Sequence, residues 1–322
     1  MTAGPMFGRR TLLSALPAVV VLAPAPTHAQ SVKLTLGTAV VGGAFVPYGA
    51  ALIDLLKSID PTLEMRAVPT KGTGDNVPML EAGDIDLGLV SGEVAHELFV
   101  GLNRPPSKLR VISVMYATPG MFVTRADSRY HRIADLKGRP VVWPGRGAGL
   151  TIQARYVMDG LGLDMDKDFE PIYIERLADG PAMVIDGRAA ALWGGGLRWP
   201  GFVEVANNPR GARFVAPTAE EVQRIRSKYP FMQQFTVPAG LYPGLYDPIE
   251  TVGTWSFILA RADFDNATGR RLAAALHRAE RTGALTKLLA QSTAKNTLAA
   301  IPGPEVLQPG VAKYYREAGL IH

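Results

Sequence analysis

The residues of this chain best suited to do chemistry are glycines, with one arginine among them. Gly145-Arg146-Gly147-Ala148-Gly149 follows the apolar run Val141-Val142-Trp143 and precedes a stretch of helical spacing from about Leu150 to Leu161, Thr151 included. A glycine turn that feeds a helix N-terminus exposes backbone N–H groups carrying partial positive charge, which suits an anion. Arg146 adds a guanidinium whose fork matches a carboxylate. A dinucleotide fingerprint would need glycine where Leu150 stands, and no Walker lysine follows, so the pattern does not indicate a nucleotide. A second turn, Gly42-Gly43, leads into a helix expected from Pro47. For that turn, ligand contact and a plain tight connection stand as equal readings. Thr73 and Asn76 flank a further expected helix start and serve there either as caps or as ligand hydrogen bonders. Trp193, ahead of Gly194-Gly195-Gly196, covers a ligand or packs in the core.

Patterns that would break bonds are missing. The chain has no cysteine, so it offers neither a thiol nucleophile nor a thiolate metal site. His28 falls in the leader described below, and His96, His131, His277 and His322 are scattered with no metal-ligand spacing. No GxSxG elbow occurs. Neither catalytic residue, metal nor cofactor is expected, which leaves binding as the chemistry of the glycine turns.

These turns must be held by a repeated framework. Sliding the sequence by 104 positions places Gly43 on Gly147, Gly83 on Gly187 and Gly92 on Gly196. Each copy reads as an apolar strand, a glycine turn, a helix, and later a glycine-initiated segment ending in small residues: GDIDLGLVSG and GRAAALWGGG. Alternating strands and helices argue for parallel α/β sheets. Two lobes of similar build follow, with a cleft between them, a common place for a small ligand. Separate strands are expected over Leu109–Tyr116 and Met121–Thr124. Another is expected over Val252–Ala260, with helix over much of Asp263–Leu289 interrupted at Gly269 and Gly283. The 198–248 region, rich in proline, glycine and aromatics, gives no clear pattern.

Residues 1–29 read as an export leader. Arg9-Arg10 precede an apolar run from Leu12 to Ala23, then prolines and Thr27-His28-Ala29, so cleavage is expected near Ala29/Gln30 and the mature chain is periplasmic. The paired arginines fit a twin-arginine or an ordinary secretory signal equally. The net charge of +5 is small and spread out, without the basic patch that nucleic acid requires. No stretch reads as a membrane helix. The chain is expected to be a monomer.

The blocks GTAVVGGAFVPYGAALIDLL (37–56), KGTGDNVPMLEAGDIDLGLVSGEVA (71–95), DLKGRPVVWPGRGAGLT (135–151) and PGVAKYYREAGL (309–320) resemble the TAXI-type solute-binding proteins of TRAP transporters. Three departures stand out. Thr73 replaces the usual serine of Ser-x-x-Asn, Ala148 replaces a serine before Gly149, and Gln308 replaces a histidine. The resemblance implies an α/β, type II periplasmic-binding-protein fold: two lobes, a hinge and an interlobe cleft. Lobe 1 is expected over 30–123 and 252–322, and lobe 2 over 124–251. It implies capture of a small organic anion, for instance a dicarboxylate such as glutamate or 2-oxoglutarate, for a TRAP-type membrane permease. An exported enzyme or a protein feeding a sensor on the same fold are the alternatives. On this view Arg146 pairs with a carboxylate and the N–H groups around Gly43, Gly147, Ala148 and Gly149 hold its oxygens. Thr38, Thr73, Asn76, Ser91 and Thr151 hydrogen-bond, while Trp193 and Tyr242 shape the cleft.

Overall fold

The computed structural model describes residues 1–4, 31–102 and 104–322. The expected leader, beyond its first four residues, lies outside the described residues. From Ser31 the chain begins with β1 (Val32–Gly37), α1 (Phe45–Ile59), β2 (Leu63–Val68), α2 (Thr73–Ala82), β3 (Leu87–Val90) and α3 (Gly92–Val100). Tyr48, Leu52, Leu55 and Leu56 fall on one side of α1 at helical spacing and are buried there. All four residues of β3 are buried, as suits a central strand covered on both faces. β2, β1 and β3 pair in parallel, in that order.

A long strand, β4 (Arg110–Arg125), leads to the second half. There β5 (Pro140–Pro144), α4 (Gly149–Gly160), β6 (Glu170–Ile174), α5 (Asp179–Ile185) and β7 (Ala191–Gly195) repeat the first pattern. β6, β5 and β7 are again parallel and again in the order outer, first, third. The repeat seen in the glycines is therefore a repeat of β-α-β-α-β units. Gly43 and Gly147 each stand two residues before a helix, at Phe45 and Gly149.

The 198–248 region contains α6 (Pro200–Asn207), β8 (Ala212–Val215), α7 (Ala219–Lys228) and β9 (Gln233–Val237). The signal for α7 was local: Thr218 and Glu221 form a reciprocal capping box. A second long strand, β10 (Ile249–Ala260), returns to the first half, where α8 (Asn266–Thr282), α9 (Ala294–Ala300) and α10 (Pro309–Glu317) complete it. Gly269 does not interrupt α8. It sits against the Gln308 side chain, so its missing Cβ makes room for the approach of the tail. Gly283 ends α8 in the left-handed conformation.

The strand order is β2-β1-β3-β10-β4-β7-β5-β6, with β10 and β4 antiparallel in the middle. The two separate strands expected around Pro119-Gly120 are one continuous strand. Pro119 stands opposite Gly253, where a Cβ would lie 2.9 Å from Pro119 Cα, so the glycine leaves room for the close approach of the two strands, and Thr251 Oγ1 donates to the Gly120 carbonyl. One apolar core draws on residues 34–115 and 257–315, and two further clusters draw on 121–252. The result is two α/β lobes bridged by β4 and β10.

Candidate functional site

The lobes meet where helices begin. A Cβ placed on Gly74, in the first turn of α2, would lie 3.1 Å from the Gly147 carbonyl oxygen of the other lobe. One placed on Gly149, the first residue of α4, would collide with Ser91 Oγ and lie 3.0 Å from Glu93 Oε1 at the start of α3. Ser91 is the N-cap residue of α3 and Ala148 that of α4. Three helix N-termini thus face one another, α2 and α3 from lobe 1 and α4 from lobe 2. The first-turn N–H groups of each lack intrahelical acceptors and carry partial positive charge. Farther along the junction, Gly42 and Gly43 lie against Leu177.

Several side chains expected to touch a ligand make hydrogen bonds within this framework. Asn76 is fully buried; its Nδ2 donates to the carbonyls of Gly37, Thr38 and Leu89 at 3.2, 2.9 and 2.7 Å, and its Oδ1 accepts from Thr70 Oγ1 at 2.8 Å. It ties the ends of β1 and β3 to the loop before α2. Thr38 Oγ1 donates to the Val68 carbonyl, and Thr151 Oγ1 to that of Pro144. Thr73 Oγ1 accepts from the Ser91 N–H at 3.0 Å and so fixes the start of α3. Trp193 is fully buried and donates to the Leu150 carbonyl at 2.9 Å. The buried Tyr242 hydroxyl donates to the Gly196 carbonyl and accepts from the Trp199 N–H. The Gly43 N–H donates to Val40 within its own turn.

Arg146 is placed differently from its expected isolation among glycines. Its guanidinium lies 3.8 Å from the centre of the Tyr173 ring and 3.6 Å from Asp166 Oδ1, with 61% of the side chain exposed. Tyr173, on the neighbouring parallel strand, supplies the packing surface that the local sequence lacks.

Between the helix starts runs a buried polar chain that the sequence analysis did not single out. Thr254 Oγ1 donates to Glu93 Oε2 at 2.7 Å. Thr254 is opposite Thr118 in the β10–β4 ladder, and the Thr118 carbonyl accepts from Gln153 Nε2 at 2.7 Å. Glu93, Thr254 and Gln153 are all buried. Burial pushes the Glu93 carboxyl up to about 7, against the lowering effect of the Thr254 hydroxyl. Ser91 Oγ and Gln153 Oε1 are buried without a hydrogen-bond partner. An acid in the first turn of a helix usually signals only a dipole contact. Nothing local in Ser91-Gly92-Glu93 announces that this one is covered by the other lobe.

A wider contact lies farther along α3 and α4. Tyr156 OH donates to Glu97 Oε1 at 2.6 Å, and the His96 and Phe231 rings stack at 3.9 Å. Beside them is a hollow of about 390 Å³ lined by Glu97, Leu102, Ile152, Arg155, Tyr156, Asp159 and Tyr229. Among the described residues, no group of three or more acidic or histidine side chains is arranged to hold a metal ion. Nor is any helix there long and apolar enough to cross a membrane.

Comparison with known proteins places this architecture. Residues 36–319 match the model of the NMT1-like family. The fold is similar to PhnD1 of Prochlorococcus marinus, solved in complex with methylphosphonate (TM-score 0.54, 13% identity, covering 90% of this chain and 99% of that one). It is also similar to a putative periplasmic sulfonate-binding protein, SsuA, of Methylobacillus flagellatus KT (TM-score 0.52, 12% identity, 91% and 96% covered). An ancestral arginine-binding protein bound to arginine aligns with TM-score 0.50 at 15% identity, covering 82% of this chain and 99% of that one. At these identities the likeness is one of fold, that of the two-lobed periplasmic binding proteins.

Proposed function

This chain belongs to the NMT1-like family, and from that premise we propose that it is a periplasmic solute-binding protein that captures a small organic acid between its lobes and delivers it to a membrane permease. The observation that carries this is the meeting of three helix N-termini from two lobes around a buried, unpartnered serine hydroxyl. An anion there gains N–H donors without bringing a counter-charge. The lobes are taken as 30–123 with 252–322, and 124–251, and the protein acts as a monomer after losing its leader near Ala29/Gln30. The motifs resembling TAXI proteins support a TRAP-type permease. One of the similar structures is described as part of an ABC transporter; the TAXI resemblance implies the same fold for TRAP-type proteins, so the sequence motifs alone carry this assignment. Uptake of the identified ligand in cells lacking one or the other permease separates the two.

The test is direct. Protein stripped of ligand is screened by thermal shift against small carboxylates, sulfonates and phosphonates, with chemical recovery of every hit. A hit present at 100 times its Kd adds about 2.7 kcal/mol, is recovered unchanged, and leaves the scattering envelope of a closed form. Conversion of every hit to product would instead make the protein an enzyme.

Within this reading Arg146 turns from Tyr173 to the ligand carboxylate. A cation–π contact and an exposed ion pair are each worth about 1 kcal/mol or less. A charge-assisted hydrogen bond to a ligand is worth about 1.5–3 kcal/mol. The balance favours the ligand modestly, so Arg146→Ala is expected to weaken binding roughly tenfold, measured by calorimetric titration. Unchanged affinity would leave Arg146 on Tyr173 and the backbone N–H groups as the anion holders.

A further inference from the structure

We propose that His96 and Glu97 of the first lobe, with Tyr156 and Phe231 of the second, form an interlobe clasp, set apart from the ligand site, that holds the lobes together before a ligand arrives. The proposal takes its purpose from the solute-binding reading above. Its existence rests on three observations.

First, each half of the clasp is anchored in its own lobe. His96 and Glu97 lie on α3 between Ala95 and Leu98, which are buried in the core of the first lobe. Tyr156 on α4, and Tyr229 and Phe231 just after α7, pack against a core cluster of the second. Tyr156 meets Phe231 edge to face with ring centres 5.0 Å apart, and meets Tyr229 in the same way at 4.8 Å. These rings brace one another and present a firm surface to α3.

Second, the contacts across the junction are complete in themselves. Tyr156 OH donates to Glu97 Oε1 at 2.6 Å, and the His96 ring lies on that of Phe231 at 3.9 Å, 9° from parallel. Burial and the Glu97 carboxylate both push the Tyr156 hydroxyl up, so it stays a donor. Neither pair needs an atom from a ligand. Glu97 stands about one turn beyond Glu93 and Tyr156 about two turns beyond Gly149, so both lie outside the facing helix starts.

Third, the contact is able to part. All four clasp side chains are half-buried. The hollow of about 390 Å³ beside them has Glu97 and Leu102 on one side and Ile152, Tyr156 and Tyr229 on the other. Atoms that face a void forgo dispersion contacts, so this part of the junction is held less firmly than a core. A solute enters only when the clasp opens, and the open fraction then scales its apparent affinity.

The experiment uses the full mature protein, stripped of ligand by unfolding and refolding, with none added back. The chain has no cysteine, so spin labels can be placed by Val100→Cys and Ser227→Cys, exposed positions at the ends of α3 and α7. Pulsed electron resonance then measures the distance between them. The labelled parent should show mainly one short distance. Tyr156→Phe keeps the ring and removes a hydrogen bond to a charged group, which should lower the ratio of closed to open molecules roughly tenfold. Combined with His96→Ala, it should place a large share of molecules at a second, longer distance. Tyr229→Phe is the control, because the hydroxyl it removes bonds Asp159 within the second lobe; it should match the parent. A double variant that keeps the parent's distance overturns the clasp. So does a parent already at the long distance, or a Tyr229→Phe variant that opens as far as Tyr156→Phe. The thermal-shift screen is scored separately. A hit there with the clasp overturned leaves solute binding standing, and a clasp that opens as expected in a protein that binds nothing overturns the solute-binding reading alone.

Discussion

Replacing Glu93 by glutamine is expected to stabilise the ligand-free protein at pH 8 by on the order of 3 kcal/mol and to change it little at pH 4.5. Burial raises the Glu93 carboxyl from 4.5 to about 7. In the folded state the group keeps its proton up to about that pH, whereas in the unfolded chain it loses it near 4.5. Between these values the native state binds the extra proton, so stability falls as pH rises. At 1.36 kcal/mol per pH unit, the loss reaches roughly 3 kcal/mol above pH 7. Glutamine still accepts the hydrogen bond from Thr254 and has no charge to desolvate. Melting temperatures of parent and variant at pH 4.5, 6 and 8 read the effect directly. Parallel pH profiles for the two proteins would mean that Glu93 is not the group responsible.

Gly149→Ala is expected to reduce ligand affinity roughly ten- to a hundredfold with little change in melting temperature. The added methyl would lie 2.5 Å from Ser91 Cβ, which the backbone fixes, so rotation of the hydroxyl brings no relief. Overpacking of this kind costs about 1–3 kcal/mol. Here the strain falls between lobes, and the protein avoids it by opening. Gly92→Ala provides the contrast. Its methyl would overlap the Trp255 carbonyl oxygen on β10, inside one lobe, and no hinge movement relieves that. The first variant should fold and bind poorly; the second should fail to fold stably. Titration with the ligand found by the thermal-shift screen, alongside melting of both variants, decides it. A Gly149→Ala protein that binds like its parent would remove the α3–α4 contact from the closed form.

The two-lobed framework was legible because its signals are local and repeated. Apolar runs entering glycine turns mark the β-α-β-α-β units twice over, and the shared 104-residue offset relates them. The continuity of β4 through Pro119-Gly120 was not legible, since those residues ordinarily end strands and pairing with the distant β10 and β7 overrides them. Site residues followed the same division. Gly149 and Ser91 lie together at the starts of α4 and α3. Asn76, Thr151, Trp193 and Tyr242 have polar groups that the backbone itself consumes. Sequence cannot tell such a group from one left open for a ligand. The burial of Glu93 and Gln153 was not legible because it depends on residues far away in the chain.

The central place of β10 bears on how the chain is made. Its outer residues Phe257–Ala260 lie between β3 and β4, so the sheet of the first lobe cannot close until about residue 260 has emerged. Until then β3 and the first half of β4 present open edges, while β5, β6 and β7 already have one another as partners. The lobe that starts first therefore finishes last. Open strand edges invite pairing with other chains, and contacts between distant residues form slowly. Newly made chain is most vulnerable to aggregation in the interval before β10 arrives, and shortening that interval would improve its yield.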